Sequence, residues 1–226
     1  DRMAALGQMA GTLAHGLGTP LNSVLGYVQL LRREPLAPGQ AEKLAIVESQ
    51  LQRMIEDMRG VLDRTRDVPL RRAPLDVGKA VDEAMALVAS RAAARRIALA
   101  ARVAAGLPPL PAEAIGLRQV LLNLLTNAVD ATPDGGRITV AAEVASDGEG
   151  RGRRLVLSVA DSGHGMSETE RRQAFEPFYT TKAPGRGTGL GLVIVEHIVR
   201  AHGGAIEVES APERGTTVRV SLPLEV

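Results

Sequence analysis

Gly187-Thr188-Gly189-Leu190-Gly191-Leu192 stands at the head of an apolar-periodic run that ends near Ala201. Read as a helix from about 189 to 201, this stretch presents free backbone N–H groups and the positive end of the helix dipole to whatever anion lies before it. Phosphate is the natural ligand. The string has no G-x-x-x-x-G-K-[ST] pattern, so it is not a Walker loop, and no strand leads directly into it as a dinucleotide fingerprint requires. The phosphate loop therefore belongs to a different nucleotide-binding fold.

Three further pieces flank it in order. Asn123 and Asn127, four apart on a helix expected from about 112 to 131, project from one face, where two amide oxygens can meet a metal or a phosphate-bound cation. Amid Leu121, Leu122, Leu124 and Leu125 such polar side chains need partners. Asp161 ends an expected strand and is followed by Ser162-Gly163-His164-Gly165, whose glycines let a carboxylate and its backbone approach a flat ring closely. A capping aspartate in a turn is the other reading of that piece. Gly215-Thr216 closes the set.

Around these pieces the chain divides in two. Leu6, Ala10, Leu13, Leu17, Val24, Val28 and Leu31 form the stripe of a long bundled helix, which Glu34-Pro35-Leu36-Ala37-Pro38-Gly39 breaks. Leu44, Val47, Leu51, Met54, Met58 and Val61 form a second, heptad-like stripe. A hairpin of two such helices leaves apolar surface uncovered, and pairing with a second copy as a four-helix bundle covers it, so a homodimer is expected.

Residues 1–66 are accordingly the helical hairpin and 67–74, with Pro69 and Pro74, a linker. Residues 75–226 form a second domain. There a helix from about 77 to 90, N-capped by Asp76, precedes a strand at 97–103 and the helix of the two asparagines. A hairpin of strands follows, 137–144 and 153–160 about Asp147-Gly148-Glu149-Gly150, then an irregular segment from 162 to 186. The glycine-led helix and closing strands at 205–210 and 216–222 complete an α+β sandwich.

Composition limits the partners. The 27 basic and 26 acidic residues nearly cancel, which gives no pull toward nucleic acid or an anionic membrane, so an anionic ligand must be met locally. The absence of cysteine fits a reducing cytoplasm, the expected location. No run approaches the roughly 20 apolar residues of a membrane span, although the helical opening at Asp1-Arg2-Met3 suggests a piece cut from a longer protein with an N-terminal sensor or membrane region.

Together these pieces resemble the N, G1, F and G2 boxes of two-component sensor histidine kinases, whose ATP domain is shared with gyrase-type and mismatch-repair ATPases. All four occur in the right order. The resemblance implies that Asn127 coordinates Mg²⁺, that Asn123 sits by the phosphates of ATP with Asp130 nearby, and that Asp161 takes the adenine amino group. It places Gly163, Gly165, Gly187, Thr188, Gly189, Leu190, Gly191 and Thr216 around the nucleotide. Phe175-Glu176-Pro177-Phe178-Tyr179 resembles the F box, and the segment from Thr180 resembles a lid in which Lys182 and Arg186 are candidates for neutralising phosphate charge.

Leu13-Ala14-His15-Gly16-Leu17-Gly18-Thr19-Pro20 resembles the family's H box. His15 lies about 200° around the helix from Leu13 and so points off the apolar stripe. By the resemblance it accepts the γ-phosphoryl group and passes it to an aspartate on a response-regulator receiver domain, while Thr19 orients water for dephosphorylation. One residue departs from the pattern. The family normally carries an acidic residue after the histidine, and here Gly16 stands there. Loss of a positioned general base costs about 10²- to 10⁴-fold where it has been tested. The alternative reading is thus a weakened kinase or pseudokinase scaffold that still binds ATP. His164, His197 and His202 are expected to be structural or surface residues, and a gyrase-like ATPase is disfavoured by the H-box hairpin.

Overall fold

The computed structural model describes residues 31, 39–62, 72–146, 152–176, 179–182 and 189–225. Two units emerge, one from Asp1–Pro69 with Lys182–Thr188, the other from Leu70–Thr181 with Gly189–Val226.

In the first unit helix α1 spans Gln40–Leu62, preceded by Gly39 at φ 82° and carrying Glu42 in its first turn. Of the expected seam, Leu51 is buried, Leu44 is half-buried and Val47 is 43% exposed; Ile46, next to the seam, is 55% exposed. The H-box helix, with His15, Gly16 and Thr19, lies outside the described residues.

The second unit runs β1 (Ala73–Leu75), α2 (Val77–Ala94), β2 (Ala98–Val103), β3 (Leu110–Ala112), α3 (Ala114–Ala131), β4 (Arg137–Ser146), β5 (Arg153–Asp161), α4 (Glu168–Gln173), α5 (Gly191–Ala201), β6 (Ala205–Ser210) and β7 (Thr216–Pro223). The sheet has the order β2-β4-β5-β7-β6, with β2 parallel to β4 and every other pair antiparallel.

Register and alternation build the core. Val140 faces Val159, which faces Val218; Ala142 faces Leu157, which faces Val220. Strand residues of one parity share one face, and Ile138, Val140, Ala142, Leu155, Leu157, Val159, Val218, Val220 and Leu222 are all buried on it. Helices α2, α3 and α5 cover this face, with α3 in the middle. The buried stripe of α3, including Leu117, Leu121, Leu124 and Leu125, repeats at three and four residues and presses on the sheet.

Polar bonds fix the ends of α3. At its start the backbone N–H of Glu113 donates to His202 Nε2 (3.1 Å), while Nδ1 of the same ring lies 2.8 Å from the Ile198 carbonyl. These partners assign the tautomer with the proton on Nδ1, and the buried ring ties α3 to the end of α5. At the other end Arg95 donates to the carbonyls of Val129 (2.6 Å) and Thr132 (2.7 Å), groups that a helix terminus leaves unpaired.

Asp76 caps α2 as expected, accepting from the Lys79 N–H at 3.1 Å. Three local expectations change. Ala73–Leu75, partly within the stretch expected as linker, pairs with Leu110–Ala112, and Arg72 donates to the Ala201 carbonyl. Helix α3 correspondingly begins two residues later than periodicity placed it. The segment expected to be irregular after Ser162 contains α4, whose capping box couples Ser167 and Glu170. That Ser-x-x-Glu pattern is legible in the sequence.

Replacing His202 with Leu keeps apolar volume but leaves the Glu113 N–H without its acceptor. Urea denaturation should show a loss of about 1–3 kcal/mol.

Candidate nucleotide site

Asp161 shares parity with Leu155, Leu157 and Val159, so its carboxylate points to the helix-covered face of the sheet, at the rim of the core. Among the described residues two N–H groups donate to its Oδ1, those of Gly163 (2.8 Å) and Thr216 (3.2 Å). Burial raises its pKa above the ordinary carboxylate value; those two N–H groups and the charge of nearby His164 oppose the rise. Among the described residues nothing donates to Oδ2, so that oxygen can accept from a ligand.

The segment after Asp161 can lie where it does only with glycine. A Cβ at Gly163 would stand 2.5 Å from the Ala131 carbonyl oxygen, so the segment seats directly on the end of α3. At Gly165, with φ 67°, a Cβ would come within 1.9 Å of the Ala211 carbonyl oxygen. Thus the β5–α4 segment is pressed between α3 and the β6–β7 turn.

Asn123 and Asn127 meet the start of α5. Asn123 Nδ2 donates to the Gly191 carbonyl at 3.3 Å, and a Cβ at Gly191 would lie 3.5 Å from Asn127 Nδ2. The N-cap residue of α5, Leu190, makes no side-chain cap bond, and Gly189 precedes it at φ 67°. A helix N-terminus whose own N-cap side chain makes no cap bond, beside two amides, has the chemistry to receive an anion.

Of the other expected residues, Thr216 stands beside Asp161 in the sheet register. Asp130 forms an ion pair with Arg91 of α2, a partner the sequence reading missed. Lys182 groups with the first unit. Arg186, Gly187, Thr188, His15 and Thr19 lie outside the described residues, as do Pro177 and Phe178 of the F-box stretch. Ser210, also missed, contacts Met166, Gly215 and Thr216. Its parity with Ile206 and Val208 was the available signal.

The donor set suits ATP with a hydrated divalent ion. Oδ2 of Asp161 can accept an exocyclic amino group, and the α5 N-terminus can receive phosphate. Among the described residues no cluster of three or more His, Asp, Glu or Cys could hold a metal. A hydrated Mg²⁺ commonly takes one or two protein oxygens and draws the rest from phosphates and water. No helix among the described residues is long and apolar enough to cross a membrane.

Comparison with known proteins bears on the same residues. Residues 112–226 match the model of the histidine kinase-, DNA gyrase B- and HSP90-like ATPase, and residues 5–67 match that of the His Kinase A (phospho-acceptor) domain. The chain is 36% identical over 228 residues to the sensor histidine kinase ZraS of Klebsiella oxytoca, covering 99% of this chain and 47% of that protein. It is 32% identical over 224 residues to the signal transduction histidine-protein kinase AtoS of Escherichia coli K12, covering 99% and 36%. The chain therefore spans less than half the length of either relative. Full-length ShkA in complex with AMPPNP superposes at a TM-score of 0.76 with 31% identity, over 97% of this chain and 46% of that one. The mycobacterial sensor histidine kinase MprB does so at 0.58 with 30% identity, over 67% and 97%.

A carboxyl whose pKa is raised in the folded state makes stability fall as pH rises from its ordinary value of 3.8 through the folded value, and the deficit persists above it. Asn at position 161 keeps an oxygen for Gly163 and Thr216 but does not titrate. The stability of Asp161→Asn relative to the parent should therefore grow as pH rises through that window and then level off, measured by urea midpoints at a series of pH values.

Proposed function

The chain belongs to the histidine kinase family, and on that premise we propose that it is the ATP-dependent core of a two-component sensor kinase that phosphorylates itself on His15. The observation that carries this reading is the meeting of Asn123 and Asn127 with the N-terminus of α5, on a unit whose sheet presents Asp161 at the rim of its core. Asp161 Oδ2 would receive the adenine amino group, and the α5 N-terminus, with Gly187, Thr188 and Gly189 ahead of it, would receive the phosphates. Asn127 would hold Mg²⁺, which would neutralise phosphate charge as it develops during transfer. Lys182 and Arg186 are further candidates for meeting phosphate charge, and Asp130 closes the end of α3 through its ion pair with Arg91.

A ring nitrogen of His15 forms a bond to the γ-phosphorus as the bond to the bridging oxygen breaks, releasing ADP. The phosphoryl group then passes from nitrogen to an aspartate oxygen of a response-regulator receiver domain. Thr19 would orient water for dephosphorylation, in which the phosphoryl group passes to water and leaves as inorganic phosphate. The exposure of Val47 and Ile46 on α1 supports a homodimer in which a second copy covers that surface. We place the chain in the cytoplasm, where ATP and the regulator are found.

A second reading rests on Gly16, which follows His15 where the family's pattern has an acidic residue to take up the ring proton. On that reading the chain binds nucleotide and a partner but transfers phosphate poorly.

Incubation with γ-labelled ATP and Mg²⁺ should place acid-labile label on the parent and none on His15→Ala. Gly16→Glu should label faster. A blank parent beside a labelled Gly16→Glu would establish the weakened kinase, and blanks throughout with nucleotide still bound would leave the scaffold reading.

A further inference from the structure

We propose that Ser210 is a positioning residue for the nucleotide site, holding the Gly215–Thr216 turn so that the Thr216 N–H stays on the carboxylate of Asp161. The inference rests on the reading of Asp161 as the acceptor for the base.

One rung near this end of the sheet crosses four strands: Ser210 pairs with Thr216, Thr216 with Asp161, and Asp161 with Ile138. Alternation turns the first three toward the helical layer, beyond the last apolar pairs. Ser210 Oγ lies 2.8 Å from the Met166 N–H, 3.0 Å from the Gly215 carbonyl oxygen and 2.9 Å from Thr216 Oγ1. The proton count settles who donates. The Gly215 carbonyl can only accept, so it takes the one Ser210 proton, and Ser210 accepts from Met166 and from the Thr216 hydroxyl.

Each bond reaches the site by a separate route. Met166 ends the glycine segment that begins beside Asp161 and precedes the Ser167 cap of α4. Gly215, at φ 74°, packs so closely that a Cβ would stand 2.0 Å from the Asp161 carbonyl oxygen. Thr216 supplies one of the two N–H groups on Asp161 Oδ1, and with its own proton committed to Ser210 its hydroxyl offers only lone pairs to a ligand. One hydroxyl on the outermost strand therefore joins both segments that flank the carboxylate, without touching that carboxylate itself.

Mg·ADP titrated calorimetrically into the 226-residue chain tests this, with Ser210→Ala, Ser210→Cys, Ser210→Thr and Asp161→Asn as variants. Ser210→Ala should weaken ADP binding about tenfold, the scale of one lost bond between fixed groups. Ser210→Cys, nearly isosteric but a poor hydrogen-bonding group, should fall between, and it serves alone if the alanine variant does not fold. Ser210→Thr should bind as the parent does. The acid limb of ADP binding gives a readout that simple loss of stability does not move. Without the Thr216 N–H, the limb should shift to higher pH in Ser210→Ala and return in Ser210→Thr. His164, the titratable neighbour of Asp161, itself lies near Glu170, so the profiles are repeated in a His164→Gln background. Parent-like binding with an unmoved limb in Ser210→Ala and Ser210→Cys, or equal losses in alanine and threonine variants, would overturn the role of Ser210. Undiminished ADP binding by Asp161→Asn would overturn the reading of Asp161 and the proposal with it, whereas loss there beside normal Ser210 variants would sink the proposal alone.

Discussion

Asp161 sits on the core side of β5 because Leu155, Leu157 and Val159 share its parity. A carboxylate on an apolar face is tolerated only where hydrogen bonds replace lost water. That constraint organises the end of the sheet. The Gly163 and Thr216 N–H groups meet Oδ1, which requires the chain after Asp161 to turn back tightly and the β6–β7 turn to come alongside. Glycines 163, 165 and 215 follow from this, since a Cβ at any of them would run into neighbouring backbone.

Helix α3 links that end of the sheet to the start of α5. Its C-terminus receives the Gly163 segment at Ala131 and is held by Arg95, while one turn earlier Asn127 approaches Gly191. His202 holds its other end to α5. A helix clamped at both ends keeps the spacing between the carboxylate and the α5 N-terminus, so a ligand that spans the two finds them already placed. In a family whose chemistry depends on where a γ-phosphate is presented, such prior placement matters more than any single contact.

Local signals carried much of the architecture. Strict alternation marked β4, β5, β6 and β7 to within one or two residues, and the 3.6-residue stripe marked α3 and α5, because each element buries one face against one core. Where the determinant was a partner distant in the chain, the signals ran out. Ala73–Leu75 is too short to alternate and becomes a strand only through Leu110–Ala112. Asp130 carried no mark of Arg91, thirty-nine residues away in the chain. Helix α4 was legible in Ser167 and Glu170 yet is only six residues long, with no buried stripe to announce it.

The sequence by itself determined the chemistry on offer: two asparagines on one helical face, an aspartate before glycines, an uncapped glycine-led helix, and Gly16 after His15. Those follow from spacing along the chain, which local backbone geometry converts into direction. Only the tertiary structure decided that Asp161, Thr216 and Ser210 form one rung, and that α5 begins beside Asn123 and Asn127. Register between strands and contact between helices are set by how apolar faces fit together, and no spacing within one segment encodes them.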